Sequence, residues 1–334
     1  MTWERFGWQS EELPKGPLDE ETRRERDLPR TLRAVAGDDV RQRPVFDPAM
    51  KQHQNAYRAG DPVFDDPERT AAWRTARRAA LDAALLAVSE SQWADSLVLR
   101  GSVLLADWFG DSAREPSDLD FVVVPRSWDI DDARTARMLE EIAAGAAGRA
   151  GIKDSGAVCD DIWTYDRVPG TRMVLPWQVP GLPAGQVQLD FVFNERLPEE
   201  PEPVELDCGA VVLAASPALS LAWKLLWLVS DHHPQGKDLY DAVLLAEAFA
   251  LPYWLLDQVF RLAPDHPLPH PGVTLEDIAA YGNVGPEWDH FTAEYPQLSG
   301  PEEEYARRLV TAVAPTFDGA PDTPRPARRG PRRP

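Results

Sequence analysis

The chain has 334 residues, 43% of them hydrophobic, and its 55 acidic against 35 basic side chains give a formal net charge of −20. That length suits one large domain or two modest ones with a full core, and the acidic balance counts against broad, non-specific nucleic-acid binding, which needs Lys and Arg to neutralise phosphates. No apolar run reaches the roughly 18 residues of a membrane span, and the opening Met1-Thr2-Trp3-Glu4-Arg5 is not a basic-then-apolar leader, so no membrane association and a cytoplasmic location are expected.

Residues 1–66 are polar and rich in Pro, Asp and Arg, and read as an extension, partly disordered or wrapped on the body. From Pro67 the apolar residues Ala71, Ala72, Ala79, Ala80, Leu81, Ala84, Leu85 and Val88 recur at helical spacing. A strand is expected over Leu97–Arg100, a short helix over Ser102–Phe109 closed by Gly110, and a buried strand over Asp118–Val124. A helix over 131–151 follows, then β-like runs at 157–165, 172–179 and 186–193, punctuated by Pro169-Gly170 and Pro180-Gly181. The acidic, proline-containing stretch 196–207 reads as a domain connection. Beyond it lie helical segments at 217–229, 237–249, 252–262 and 302–313, and a Pro/Arg tail from Pro315 that is expected to be disordered. The organisation expected is therefore an extension (1–66), a core of mixed sheet and helices (67–200), a helical domain (201–314) and a tail (315–334).

Cys159 and Cys208 offer no disulfide framework, and the six histidines fit no zinc spacing. Chemistry concentrates instead on acidic residues. Asp118 and Asp120 sit at i and i+2 of a strand, so both carboxylates leave one face. Their mutual repulsion suits a hard divalent cation such as Mg²⁺, although strand-end aspartates are commonly plain solvated residues. Gly101-Ser102, at the junction of strand and helix, suits a phosphate: glycine admits close backbone approach, serine adds a donor and a helix N-terminus favours an anion. A simple Gly-Ser helix cap is the ordinary alternative.

Asp190 interrupts the apolar strand Val187–Phe193, a position that is costly for a carboxylate unless it is paired, hydrogen-bonded or metal-bound. It is either a third metal-binding carboxylate or half of an ion pair with an arginine. Lys224 lies in Leu219–Val229, where Ser220 is the other polar residue; its amine either snorkels to water or meets an anion. Lys237-Asp238 begins the next helix, where Asp238 also complements the helix dipole.

Leu99-Arg100-Gly101-Ser102, Ser117-Asp118-Leu119-Asp120-Phe121 and Leu189-Asp190-Phe191-Val192 together resemble the DNA polymerase β-type nucleotidyltransferase superfamily. Lys224 followed by Lys237-Asp238-Leu239-Tyr240-Asp241 resembles its AbiEii/AbiGii toxin branch. The resemblance implies an α+β fold, a polymerase β-like mixed sheet with flanking helices followed by a helical domain. It implies triphosphate contacts at Gly101 and Ser102, two Mg²⁺ ions on Asp118, Asp120 and Asp190, and a nucleotide site shaped by Lys224, Lys237 and Asp238. It further implies a toxin of a toxin–antitoxin pair in phage defence, with a winged-helix antitoxin and an RNA acceptor such as a tRNA 3′ end. Arg100 stands where the family usually has the first of two glycines, and the Ser102–Asp118 loop is long. Transfer to a protein or to a small molecule such as an aminoglycoside is the enzymatic alternative. A non-catalytic nucleotide-binding module is the alternative from another class.

Overall fold

The computed structural model describes residue 13 and residues 19–164, 168–263, 268–281, 284–298 and 300–318. The polar extension expected over 1–66 is therefore seen from residue 19 onward with residue 13, and the tail up to 318; the expectations for 1–12, 14–18 and 319–334 lie outside the described residues.

Chain order gives α1 (Glu20–Glu25), β1 (Val40–Arg41), β2 (Pro44–Phe46), β3 (Tyr57–Ala59), β4 (Val63–Phe64), α2 (Pro67–Ser89), β5 (Leu97–Arg100), α3 (Ser102–Phe109), β6 (Asp118–Val123) and α4 (Ala133–Ala146). Next come β7 (Val158–Thr164), β8 (Val168–Trp177), β9 (Gly185–Val192), β10 (Glu202–Glu205), β11 (Val211–Ala214) and then six helices. These are α5 (Pro217–Ser230), α6 (Gly236–Ala248), α7 (Tyr253–Leu262), α8 (Leu275–Tyr281), α9 (Pro286–Glu294) and α10 (Glu302–Val313). Among the described residues no helix is long and apolar enough to cross a membrane.

Seven strands form one mixed sheet in the order β10-β11-β5-β6-β9-β8-β7. β6 runs parallel to β9 and β11 parallel to β5, while β5 and β6, β8 and β9, and β7 and β8 pair antiparallel. Alternation along the strands divides the side chains cleanly. Leu97, Leu99, Leu119, Phe121, Leu189 and Phe191 point to one face and join the core with α2 and α4. Phe121 and Phe191 stack there with ring centroids 5.6 Å apart.

Both helices on that face start at a capping aspartate. Asp66 accepts a hydrogen bond from the Glu68 amide before Pro67, and Asp132 accepts one from the Arg134 amide. The cap at Asp132 explains why α4 begins at Ala133 rather than at residue 131. The helix stops at Ala146, short of the expected 151, and Gly148 and Gly151 turn the chain away at φ +79°. The acidic stretch 196–207 is not a featureless connection: β10 forms within it and pairs antiparallel with β11 at the sheet edge, where Pro203 is tolerated.

The chain divides into two compact units, residues 1–215 with 293–298, and residues 216–292 with 299–334. The sheet belongs to the first. The second consists of helices among its described residues, and α8 and α9 join those that the spacing predicts.

Within the first unit the N-terminal segment docks on the outer strands. The Thr31 amide and hydroxyl donate to Asp160 Oδ2 at 2.6 and 2.8 Å, and Gln52 Nε2 donates to the Asp161 carbonyl at 2.7 Å. Leu28, Leu32, Phe46, Met50 and Tyr57 bury against Ile162 of β7 as a second, smaller core. Arg77 of α2 holds Asp61 through two hydrogen bonds, at 2.5 and 3.1 Å.

Candidate active site

Gly101 ends β5 with φ +86° and ψ −152°, a combination that essentially only glycine adopts. A Cβ placed there would stand 2.5 Å from Asp120 Oδ2, so the Asp120 carboxylate lies directly against the glycine backbone. Ser102 starts α3, is buried, and its hydroxyl donates to Asp118 Oδ1 at 3.2 Å. The strand-to-helix turn thus touches both carboxylates of the Asp-Leu-Asp pair. Asp118 and Asp120 are half-buried on one face of β6, while Leu119 between them is fully buried on the other.

Register then brings the third carboxylate in. Asp120 pairs with Asp190 across the parallel β6–β9 ladder, and Asp118 pairs with Gln188. At the level of Asp120 the sheet carries Arg100, Asp120, Asp190, Arg172 and Asp160 in sequence on β5, β6, β9, β8 and β7. Two acids at the centre are flanked by two arginines. Arg100 donates from Nη1 to Glu195 Oε2 at 2.6 Å and is buried.

Asp190 is buried and held by Arg172 through two parallel bonds, Nε to Oδ1 at 2.9 Å and Nη2 to Oδ2 at 2.8 Å, with Gln188 Nε2 adding a third at 3.2 Å. This is the side-on geometry in which a guanidinium meets a carboxylate best. The remaining Nη1 donates to Asp47 Oδ2, from the loop after β2. Burial pushes the Asp190 carboxyl up from its ordinary value against the pull of Arg172, and the neighbouring charges of Asp118 and Asp47 add to the push. Burial also opposes the charge on Arg172, but two carboxylates outweigh it and hold the guanidinium firmly protonated. Of the two outcomes expected for Asp190, the structure shows the arginine pair.

Lys224, Lys237 and Asp238 lie in the other unit. Lys224 meets anions of its own chain: its ammonium is 2.7 Å from Asp238 Oδ1 and 2.9 Å from Asp241 Oδ2, and all three side chains are buried. Lys237 is half-buried in the first turn of α6. Asp238 and Asp241, three apart on α6, present their carboxylates to one lysine of α5.

The donors around Asp118 and Asp120 are hard carboxylate oxygens, which suits Mg²⁺, an ion that takes one or two carboxylates and completes its shell with water and substrate phosphates. Among the described residues no three acidic, histidine or cysteine side chains converge on one point as a cage that would hold a metal by themselves. Arg172, Asp47 and Glu195 are site neighbours that the sequence reading missed. Arg172 carried a signal, since a basic residue in the apolar run Thr171–Trp177 is as costly as Asp190 in its own strand. Asp47 carried none, lying 125 residues from its partner.

The glycine-serine turn thus lies beside paired strand carboxylates, and comparison with known proteins defines the class. Residues 83–321 match the family model described as nucleotidyl transferase AbiEii toxin, type IV toxin–antitoxin system. The chain belongs to this AbiEii family of nucleotidyltransferase toxins. Family membership carries with it nucleotidyl transfer from an NTP and an antitoxin partner. No curated protein matches the chain in sequence. Among solved structures it is similar to the crystal structure of JHP933 from Helicobacter pylori, at 12% identity and TM-score 0.41 over 74% of this chain and 93% of that one.

Two substitutions test this geometry. Gly101→Ala forces a side chain into a glycine-only conformation and against Asp120, and is expected to cost about 1–3 kcal/mol in urea unfolding; unchanged stability would contradict the placement. Lys224→Met leaves Asp238 and Asp241 buried without their cation and is expected to cost about 3–5 kcal/mol. A midpoint like that of the wild type would show that the cluster is solvated.

Proposed function

We propose that this protein is a Mg²⁺-dependent nucleotidyltransferase toxin that moves an NMP from an NTP to an acceptor hydroxyl, with an RNA 3′ end, such as that of tRNA, as the acceptor. The observation that carries this reading is the convergence of the Gly101-Ser102 turn on Asp118 and Asp120, with Asp190 next to Asp120 in the ladder.

In this reading Asp118 and Asp120 would hold Mg²⁺, while Asp190, kept on Arg172, lies beside them and serves the acceptor hydroxyl. When bound, the metal supplies positive charge for the triphosphate and for the leaving pyrophosphate. Gly101 admits the phosphates to the backbone, and the N-terminus of α3 faces their negative charge. Asp190 orients the acceptor hydroxyl, accepting its hydrogen bond and then its proton, so that the oxygen attacks the α-phosphorus in line. One P–O bond forms, the bond to the β-phosphate breaks and pyrophosphate leaves. Lys224, Lys237 and Asp238 are assigned to the nucleotide by the resemblance. In this chain Lys224 already neutralises part of the charge of Asp238 and Asp241, so that assignment requires an exchange of partners. The antitoxin partner in this reading is a winged-helix protein, the cellular role is phage defence and the location is the cytoplasm.

The net charge of −20 favours a second acceptor class, a cationic small molecule or a protein. Incubation with Mg²⁺ and each labelled NTP, against total tRNA and against protein, separates the two. Label on RNA, lost by at least ~10³-fold in Asp118→Ala and Asp190→Asn with the fold retained, is the expected outcome. Activity like that of the wild type in either variant would overturn the mechanism.

A further inference from the structure

The family match begins at residue 83, yet a side chain from well before it reaches the buried centre of the sheet. Asp47 is buried between β2 and the short helical turn Pro48–Met50, which it caps by accepting from the Ala49 amide at 3.1 Å. Its other oxygen, Oδ2, takes the Nη1 of Arg172, whose Nε and Nη2 grip Asp190. We infer that Asp47 is a positioning residue for nucleotidyl transfer, acting on Asp190 through Arg172, and that the N-terminal segment is an integral part of the active site.

This rests on the reading of Asp190 given above. Without Asp47 the guanidinium would be anchored on one edge, by Asp190, and would match the charge of that carboxylate one for one. Asp47 changes both. It anchors the opposite corner of the planar guanidinium at Nη1, so that Arg172, and Asp190 with it, are held from two sides. It also takes a share of the guanidinium charge, so that Arg172, Asp47 and Asp190 together carry one net negative charge at the level of the β6 carboxylates. Residues that orient an acting group from behind in this way are commonly worth 10–100-fold in affinity or activity.

The segment that delivers Asp47 is built to hold still. Asp47 donates its amide to the Ala56 carbonyl at 2.9 Å, β2 pairs with β3 right up to that link, and Phe46, Met50 and Tyr57 are buried against Ile162 of β7. Thr31 fastens the same segment to Asp160, which stands opposite Arg172 in the β7–β8 ladder.

The test compares Asp47→Asn, Arg172→Met and the double variant in the full chain, with Asp190→Asn as the control for the underlying reading. Asp47→Asn keeps the helical-turn cap and removes the charge; Asp47→Ser, which also keeps a cap acceptor, takes its place if the first variant fails to fold. Expected are a fall in kcat of about tenfold with KM for the NTP within about twofold, at a temperature where every variant is folded. In the double variant Asp47→Asn should lower kcat far less than it does when Arg172 is present, because the path through the guanidinium is gone. A purely structural role would lower the melting temperature and leave kcat per folded molecule unchanged, and that result overturns the inference, as does an additive double variant. If Asp190→Asn retains full activity, or the wild type transfers no nucleotide, the reading of Asp190 fails and the inference falls with it.

Discussion

A carboxylate in the middle of a strand that is covered on both sides must be paired, and Asp190 makes that requirement the organising constraint of the sheet. Its pairing with Arg172 determines what β8 can carry, and the guanidinium edge left over from that pairing, Nη1, is met by Asp47 of the N-terminal segment. Breaking a buried pair from one side leaves an uncompensated charge and costs about 3–5 kcal/mol. One buried set of charges therefore joins three segments distant in sequence, and each is held in place by the others.

The same balance shapes the chemistry. Two arginines flank the central acids at one level of the sheet, Arg100 anchored by Glu195 and Arg172 by Asp47. Arg100, directly before Gly101, is buried and paired with Glu195 rather than placed in solvent. Asp118 and Asp120 stand at the start of β6 with the glycine-serine turn against them, where the proposed function puts the phosphate and its cation. The second unit solves its own charge problem separately, with Lys224 between Asp238 and Asp241.

Much of this was legible in the sequence because it is local. Leu97–Arg100, Gly101 and Ser102–Phe109 follow from an apolar run ended by a residue that only glycine can supply, and the strand, turn and helix form over those residues. Asp190 announced itself by its cost in an apolar strand, though not the identity of its partner, since an arginine and a metal ion answer the same need. What stayed hidden depends on long-range closure. Nothing near Asp47 says that it meets a residue 125 positions away, and the short strands β1–β4 carry too few residues for alternation to show. β10 was masked by prolines and glutamates that suit an exposed edge strand as well as a connection. The spacing left Lys224 between water and an anion, and the anions it meets, Asp238 and Asp241, belong to its own chain.

The central claim is that Asp118 and Asp120 form the cation-binding pair while Arg172 stays on Asp190. Anomalous diffraction from crystals soaked with Mn²⁺ and an NTP tests it most directly. The account predicts an anomalous peak between the Asp118 and Asp120 carboxylates, with the Asp190–Arg172–Asp47 chain of hydrogen bonds intact. Mn²⁺ bound elsewhere, or Arg172 displaced from Asp190 in the loaded protein, would contradict it.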